Sequence, residues 1–267
     1  MMIDWWWAYL ALGCFVGFFG GLLGIGGGAA MVPMLAIIYA AKGFASDAIV
    51  HLALGTSVAT MIFTSAASVV SHHRRGAVHW VAWRRMVPGV IAGTLSGALI
   101  AGRLDPRLLA IAFTVLIYAL ATQMLLEVKA APGGQLQGAG AMSAAGGVIG
   151  FISSLSATGG AALTVPYLVK RSLSIHQAIG TAAAVGWPLA LAGTLGYGLI
   201  GLGRPGLPAW SAGFVYLPAL TWIAVASMAA APLGARVAHR AQGRTLKRVF
   251  AIVLYGLATH MLVSTFR

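Results

Sequence analysis

The chain has 267 residues, of which 60% are hydrophobic and only 8% charged, with a mean hydropathy of +0.90. That composition excludes an ordinary soluble domain and points to a bilayer. The net charge of +13 comes from Lys and Arg in short stretches between apolar segments, where positive-inside bias places them, so it does not call for nucleic acid.

In chain order, Met-Met-Ile-Asp-Trp-Trp-Trp at the start lacks the basic region of a cleaved signal peptide. Trp5, Trp6 and Trp7 read as an interfacial anchor. A first apolar arm is expected from about Trp5 to Leu23, with Cys14, the one cysteine, as a small packing residue. One cysteine excludes an internal disulfide. A glycine-rich break comes next, then a shorter arm from about Ala29 to Ala40. Further apolar segments are expected over His51–Val70, Met86–Ala101 and Leu108–Leu126. Glu127–Gln137 is the most polar stretch with turn residues and reads as a linker. Ala139–Leu168 then holds a second break, and Gln177–Leu199 follows, interrupted at Trp187-Pro188. Phe214–Ala231 and Val249–Val263 close the chain.

The two breaks are copies. Residues 17–35 and 150–168 are identical at nine of nineteen positions without a gap, including Gly26/Gly159, Gly27/Gly160 and Pro33/Pro166. Seven of the nineteen residues in the first copy are glycine, a residue that costs about 1 kcal/mol relative to alanine inside a helix. An opening at membrane depth is tolerated only where the freed backbone is buried in protein or lines a cavity. The duplication continues beyond the breaks. His51-Leu-Ala-Leu-Gly-Thr56 matches His176-Gln-Ala-Ile-Gly-Thr181, and residues 118–125 match 255–262 at six of eight positions. Two broken helices at matching places in two halves point to a transporter's binding site.

A glycine-rich break followed by Val-Pro (Val32-Pro33 and Val165-Pro166), near the start of each half of an eight-segment membrane protein, resembles the sulfite exporter TauE/SafE family. The resemblance covers nearly the whole chain. It implies a permease for sulfite, an organosulfonate or a related sulfur oxyanion. The expected fold is an all-α polytopic membrane protein of about eight transmembrane segments in two homologous repeats, residues 1–130 and 131–267. Each repeat begins with a glycine-broken or re-entrant helix.

Charge bears on how the repeats are oriented. Where each broken segment crosses once, Lys and Arg divide 10 to 7 between the two sides. Where each break turns back as a hairpin, they divide 12 to 5. The sharper split favours inverted repeats in the cell membrane with both termini outside. The arm from Ala161 to Val169 spans only about 14 Å at 1.5 Å per residue, which suits a re-entrant piece.

All four acids, Asp4, Asp47, Asp105 and Glu127, lie at segment ends or in loops, which argues against a cation pump or carboxylate proton relay and against an intramembrane hydrolase. No zinc-type Cys/His spacing or phosphate loop is present, so neither metal nor cofactor is expected. An anion site remains easy to build, because an opened helix offers backbone N–H groups and a positive N-terminus. The candidates in the first break are Gly24, Gly26, Gly27 and Gly28. In the second they are Ser153, Ser154, Ser156, Thr158, Gly159 and Gly160, whose hydroxyls either donate to an anion or cap the broken helix. Thr56, Ser57 and Thr181 complete the cavity or pack helices. Pro33 and Pro166 read as structural helix breaks. His51 and His176, at matched segment starts, are the candidates for carrying a coupled proton, against a plainer role as helix-end hydrogen bonders. The expected partners are a small anion, the bilayer and a coupling ion such as a proton. A non-transporting scaffold and an anion channel are the alternatives, and oligomeric state is left open.

Overall fold

The computed structural model describes residues 5–23, 27–126, 134–238 and 243–266. Among them the chain forms α1 (Trp6–Leu23), α2 (Gly28–Ala41), α3 (Ser46–Arg74), α4 (Trp80–Ala101), α5 (Pro106–Leu126), α6 (Ala139–Ser156), α7 (Ala161–Lys170) and α8 (Ile175–Gly201). Two short strands follow, β1 (Ser211–Ala212) and β2 (Val215–Tyr216), then α9 (Leu217–Ala238) and α10 (Gly243–Phe266). The strands pair antiparallel, so the stretch expected to open a helix at Phe214 instead turns first, while the fold as a whole is the helical one expected. Helix dominates because a chain crossing lipid must satisfy its backbone internally. Among the described residues α3, α5, α6, α8 and the Arg248–Thr265 part of α10 are long and apolar enough to span a membrane.

The interruption expected at Trp187-Pro188 is absent, and α8 runs through Pro188. Proline removes the N–H that would bond the carbonyl four residues back, here that of Ala184. The indole N–H of Trp83 donates to that carbonyl instead, at 3.0 Å, so a neighbouring helix repairs the ladder. α3 also runs past the expected Val70, putting His72 and His73 in its last turn.

Both broken segments fold back. The start of α1 and the end of α2 lie together, with the Lys42 ammonium 5.7 Å from the Tyr9 ring centre and 5.6 Å from that of Tyr216. In the second half the approach to α6 lies beside the end of α7. There the Tyr167 hydroxyl donates to Gln137 Oε1 at 3.0 Å, and the Ser172 hydroxyl donates to the Gly134 carbonyl. We take the end carrying the 42–45 turn as the upper end. The Arg204 guanidinium and Asp47 carboxylate, 3.7 Å apart, place the α8–β1 loop there too. The α3–α4 turn and residues 134–137 are at the lower end, where Arg85 donates to the Gln137 carbonyl at 2.7 Å.

The sequence-matched helices meet and run antiparallel. Along α3 and α8, Gly55 packs on Tyr197, Val58 on Gly193 and Ser65 on Gly186. Along α5 and α10, the Tyr118 and Tyr255 rings are 5.0 Å apart. Each of these tyrosines bonds the threonine one turn beyond the other, Tyr118 with Thr259 and Tyr255 with Thr122.

The halves also exchange partners. α1 packs chiefly on α9 of the other half, where Gly13 meets Ile223 and Gly17 meets Ser227. α6 packs on α4 in the same way, Gly146 on Met86 and Gly150 on Val90. Small residues let these backbones approach closely, which is how helices associate in lipid. Buried apolar side chains form a larger core around α1, α2, α3, α5, α9 and α10, and a smaller one among α4, α6, α7 and α8.

Candidate functional site

The site is built where α3 and α8 cross near their midpoints. Gly27 precedes α2 with φ 65°, and Gly160 precedes α7 with φ 73°. Both are in the left-handed region, which an L-residue enters only at a cost of roughly 1–2 kcal/mol. This conformation turns each chain sharply enough for a helix to restart inside the bundle. Neither helix start has a side-chain cap, and a helix N-terminus carries roughly half a positive charge.

The two restarts come together. Gly28 abuts the carbonyl oxygen of Ala157, the last residue before the second break's turn, and a side chain on Gly28 would collide with it. Met61 of α3 lies against both breaks. Its sulfur is 3.2 Å from where a Cβ on Gly28 would stand, and its methyl 2.6 Å from that point on Gly159. From α8, Gly186 faces the Gly159 carbonyl, 3.4 Å from its Cβ position. Ala157, Thr158, Gly159 and Gly160 are all buried. Asp47 and Asp105 both lie at the upper end.

Gly24 and Gly26 lie outside the described residues. Gly27, Gly28, Gly159 and Gly160 stand at the meeting point. The Ser156 hydroxyl donates to the Ile152 carbonyl at 3.0 Å and is 3.0 Å from the Thr158 hydroxyl, so this pair caps the end of α6. The Ser154 hydroxyl donates to the Phe151 carbonyl at 2.7 Å and rests on Gly97. Thr56 and Thr181 tie the halves together. Thr56 Oγ1 accepts from the Tyr39 hydroxyl at 3.2 Å and from the Tyr216 N–H at 3.0 Å. Thr181 Oγ1 accepts from the His79 N–H at 2.9 Å. Beside each threonine a glycine touches the carbonyl two residues earlier in the gripped loop, Gly55 that of Phe214 and Gly180 that of Ala77.

Pro33 and Pro166 sit inside continuous helices, so the chain breaks at the glycines ahead of them. The two histidines diverge. His51 is fully buried, pairs through Nε2 with the Ala101 carbonyl at 3.1 Å and stacks on Phe214, whereas His176 is exposed at the start of α8. Cys14 is exposed on α1 rather than packed inside.

Among the described residues, the buried serine and threonine hydroxyls of Ser57, Thr94, Ser153 and Thr164 have no hydrogen-bond partner. Such a group costs about 1–3 kcal/mol. Ser57 and Ser153 are legible as candidates in the sequence. Thr94 and Thr164 are not, although Thr164 stands one turn beyond Gly160 and its N–H donates to the Gly160 carbonyl at 2.8 Å. Its spacing from the conspicuous glycine is the signal that finds it. The Ser153 hydroxyl is 3.5 Å from the Cβ position of Gly160.

Residues 9–261 match the model of the family described as sulfite exporter TauE/SafE. A probable membrane transporter protein of Haemophilus influenzae is 35% identical over 256 residues, covering 96% of this chain and 97% of the relative. One from Methanocaldococcus jannaschii is 24% identical over 95% of this chain and 94% of its own length. No solved structure matches the chain.

Proposed function

The chain belongs to the sulfite exporter TauE/SafE family, and on that premise we propose that it is a permease for a small anion held between the two helix breaks. The anion is sulfite, an organosulfonate or a related sulfur oxyanion. The observation that carries this reading is the convergence of two uncapped helix starts, each turned by a left-handed glycine, at the mid-bundle crossing of α3 and α8. Two positive helix ends beside unpartnered hydroxyls suit an oxyanion. The two segments 1–130 and 131–267 act as inverted repeats, an arrangement supported by the antiparallel pairing of matched helices. The inverted arrangement lets one half take the other's conformation and so move the site's access from one end to the other.

The test is flux and binding with purified protein. In proteoliposomes it should move radiolabelled sulfite saturably and in exchange, and sulfite or a small sulfonate should raise its melting temperature, since a ligand of the folded state stabilises it. A scaffold would move nothing, a channel would show no exchange, and selective flux of a cation would sink the anion reading.

Orientation follows from charge. On the fold-back count of the sequence, 12 of the 17 Lys and Arg fall on the side of the α3–α4 turn, so this side faces the cytoplasm and both termini lie outside. Single cysteines at Gly76 and Ser172, in a Cys14→Ala background, should both label from the cytoplasmic face, and one at Arg204 from outside. Labelling of Gly76 and Ser172 from opposite faces would mean that the broken segments cross the membrane.

A further inference from the structure

Of the two breaks, we infer that the one ahead of α7 seats the anion, and that Met61 sets the largest ligand the seat admits. This rests on the reading that the breaks hold an anion at all.

The inference comes from residues that the two halves do not share. Residue by residue, the second break's Ser153, Ser154, Ser156, Thr158 and Thr164 correspond to Gly20, Gly21, Leu23, Ile25 and Met31 in the first. The first break therefore has no hydroxyl to offer at any of these places. In the second, Ser153 and Thr164 are fully buried and have no partner; the Ser153 hydroxyl is 3.5 Å from the Cβ position of Gly160, and Thr164 stands in the first turn of α7, its N–H on the Gly160 carbonyl. Those two O–H groups can donate to an oxyanion without first giving up a protein bond.

The space is unequal too. The register that pairs Thr56 with Thr181 pairs Met61 with Gly186. Met61 fills the room beside the first break, with its sulfur against Gly28 and its methyl against Gly159. Gly186 puts no side chain at the corresponding place beside α7, where a Cβ would make only ordinary contacts, with the Gly159 carbonyl at 3.4 Å and Ser65 at 3.7 Å. The Met61 thioether, its methyl against Gly159, is on this inference a flexible wall of the seat. A compact anion such as sulfite should bind without displacing it, and a sulfonate carrying an organic tail must push it aside.

Binding of sulfite, methanesulfonate and benzenesulfonate by calorimetry, with sulfite flux in proteoliposomes, tests this. If the unaltered protein neither binds nor moves any of them, the permease reading itself fails. If it does, Ser153→Ala and Thr164→Val should each weaken sulfite binding roughly ten- to hundred-fold, the worth of a hydrogen bond to a charged group. Both should keep the melting temperature at or above that of the parent, because each removes an unsatisfied buried hydroxyl; a merely structural role would lower it. Met61→Ala should leave sulfite within about threefold and improve benzenesulfonate by roughly tenfold or more, the range a change in pocket size commands. Gly186→Met should abolish binding of all three. Parent-like sulfite binding in Ser153→Ala and Thr164→Val, or in Gly186→Met, would overturn the assignment. So would a Met61→Ala protein with an unchanged preference between sulfite and benzenesulfonate.

Discussion

Gly27 and Gly160 stand at matched places, take the same left-handed turn and fold back on matched residues, Val16 of α1 and Ile149 of α6. Around that shared backbone the surroundings differ. At Gly27 the described backbone is tightly packed. A Cβ on Gly27 would stand 2.6 Å from the Val16 carbonyl oxygen, whereas one on Gly160 would press only on the end of the Leu189 side chain, at 3.1 Å, with Ser153 and Ile149 in ordinary contact at 3.5 and 3.6 Å. α2 also runs four residues longer than α7, 14 against 10. That extra turn carries Tyr39, which packs with Phe44 and Tyr216 over Thr56. Duplication has preserved the turn, and divergence has set aromatic packing beyond one copy and unpartnered buried hydroxyls beside the other.

The largest expected effect separates the two glycines. Alanine at either costs about 1–2 kcal/mol of left-handed strain. At Gly27 the clash with the Val16 backbone adds about 1–3 kcal/mol, because a main chain cannot swing away as a leucine methyl can. Gly27→Ala should therefore unfold at clearly lower denaturant than Gly160→Ala, and equal midpoints would mean that the two breaks are packed alike.

A smaller difference is expected at the threonine ties. Thr56→Val strands two donors, the Tyr39 hydroxyl and the Tyr216 N–H, while Thr181→Val strands one, the His79 N–H. At about 1 kcal/mol for each lost bond, the first should cost about twice the second in chemical denaturation. The smallest contrast tests where the halves are alike. Gly17→Ala presses on the Ser227 backbone and Gly150→Ala on that of Val90. Both should lose about 1.5 kcal/mol, within the range for overpacking. Thermal unfolding that separated them widely would show that the α1–α9 and α4–α6 contacts are not equivalent.

Much of this architecture is legible in the sequence because it is carried by backbone demands. Glycine at 27 and 160 marks the turns, the matched blocks mark the two halves, and the twelve-to-five charge split favours the fold-back that the Lys42–Tyr9 contact displays. The prolines mislead, since Pro33, Pro166 and Pro188 each read as an interruption and each lies inside a helix. Propensity is local, and the repair at Pro188 comes from Trp83, about a hundred residues away. Thr56 and Thr181 read equally well as cavity residues or packing residues. What engages them is a loop of the other half, visible only once the chain is folded. Thr94 escapes notice because nothing near it in sequence marks it; its neighbours Gly150 and Gly193 belong to α6 and α8.

The exchange of partners between halves has a consequence for how the protein is made. α1 is made well before the surface that receives its glycine face, which belongs to α9, roughly two hundred residues later. At synthesis rates of about 5–20 residues per second, that is a wait of about 10–40 s. During it, the Gly13 and Gly17 backbone faces lipid, or is shielded by whatever insertion machinery holds it. α6 has no such delay, because α4 is already in place when it emerges. The nascent chain is therefore most vulnerable to misassembly and proteolysis through its N-terminal helix, and that vulnerability ends only when α9 has been synthesised.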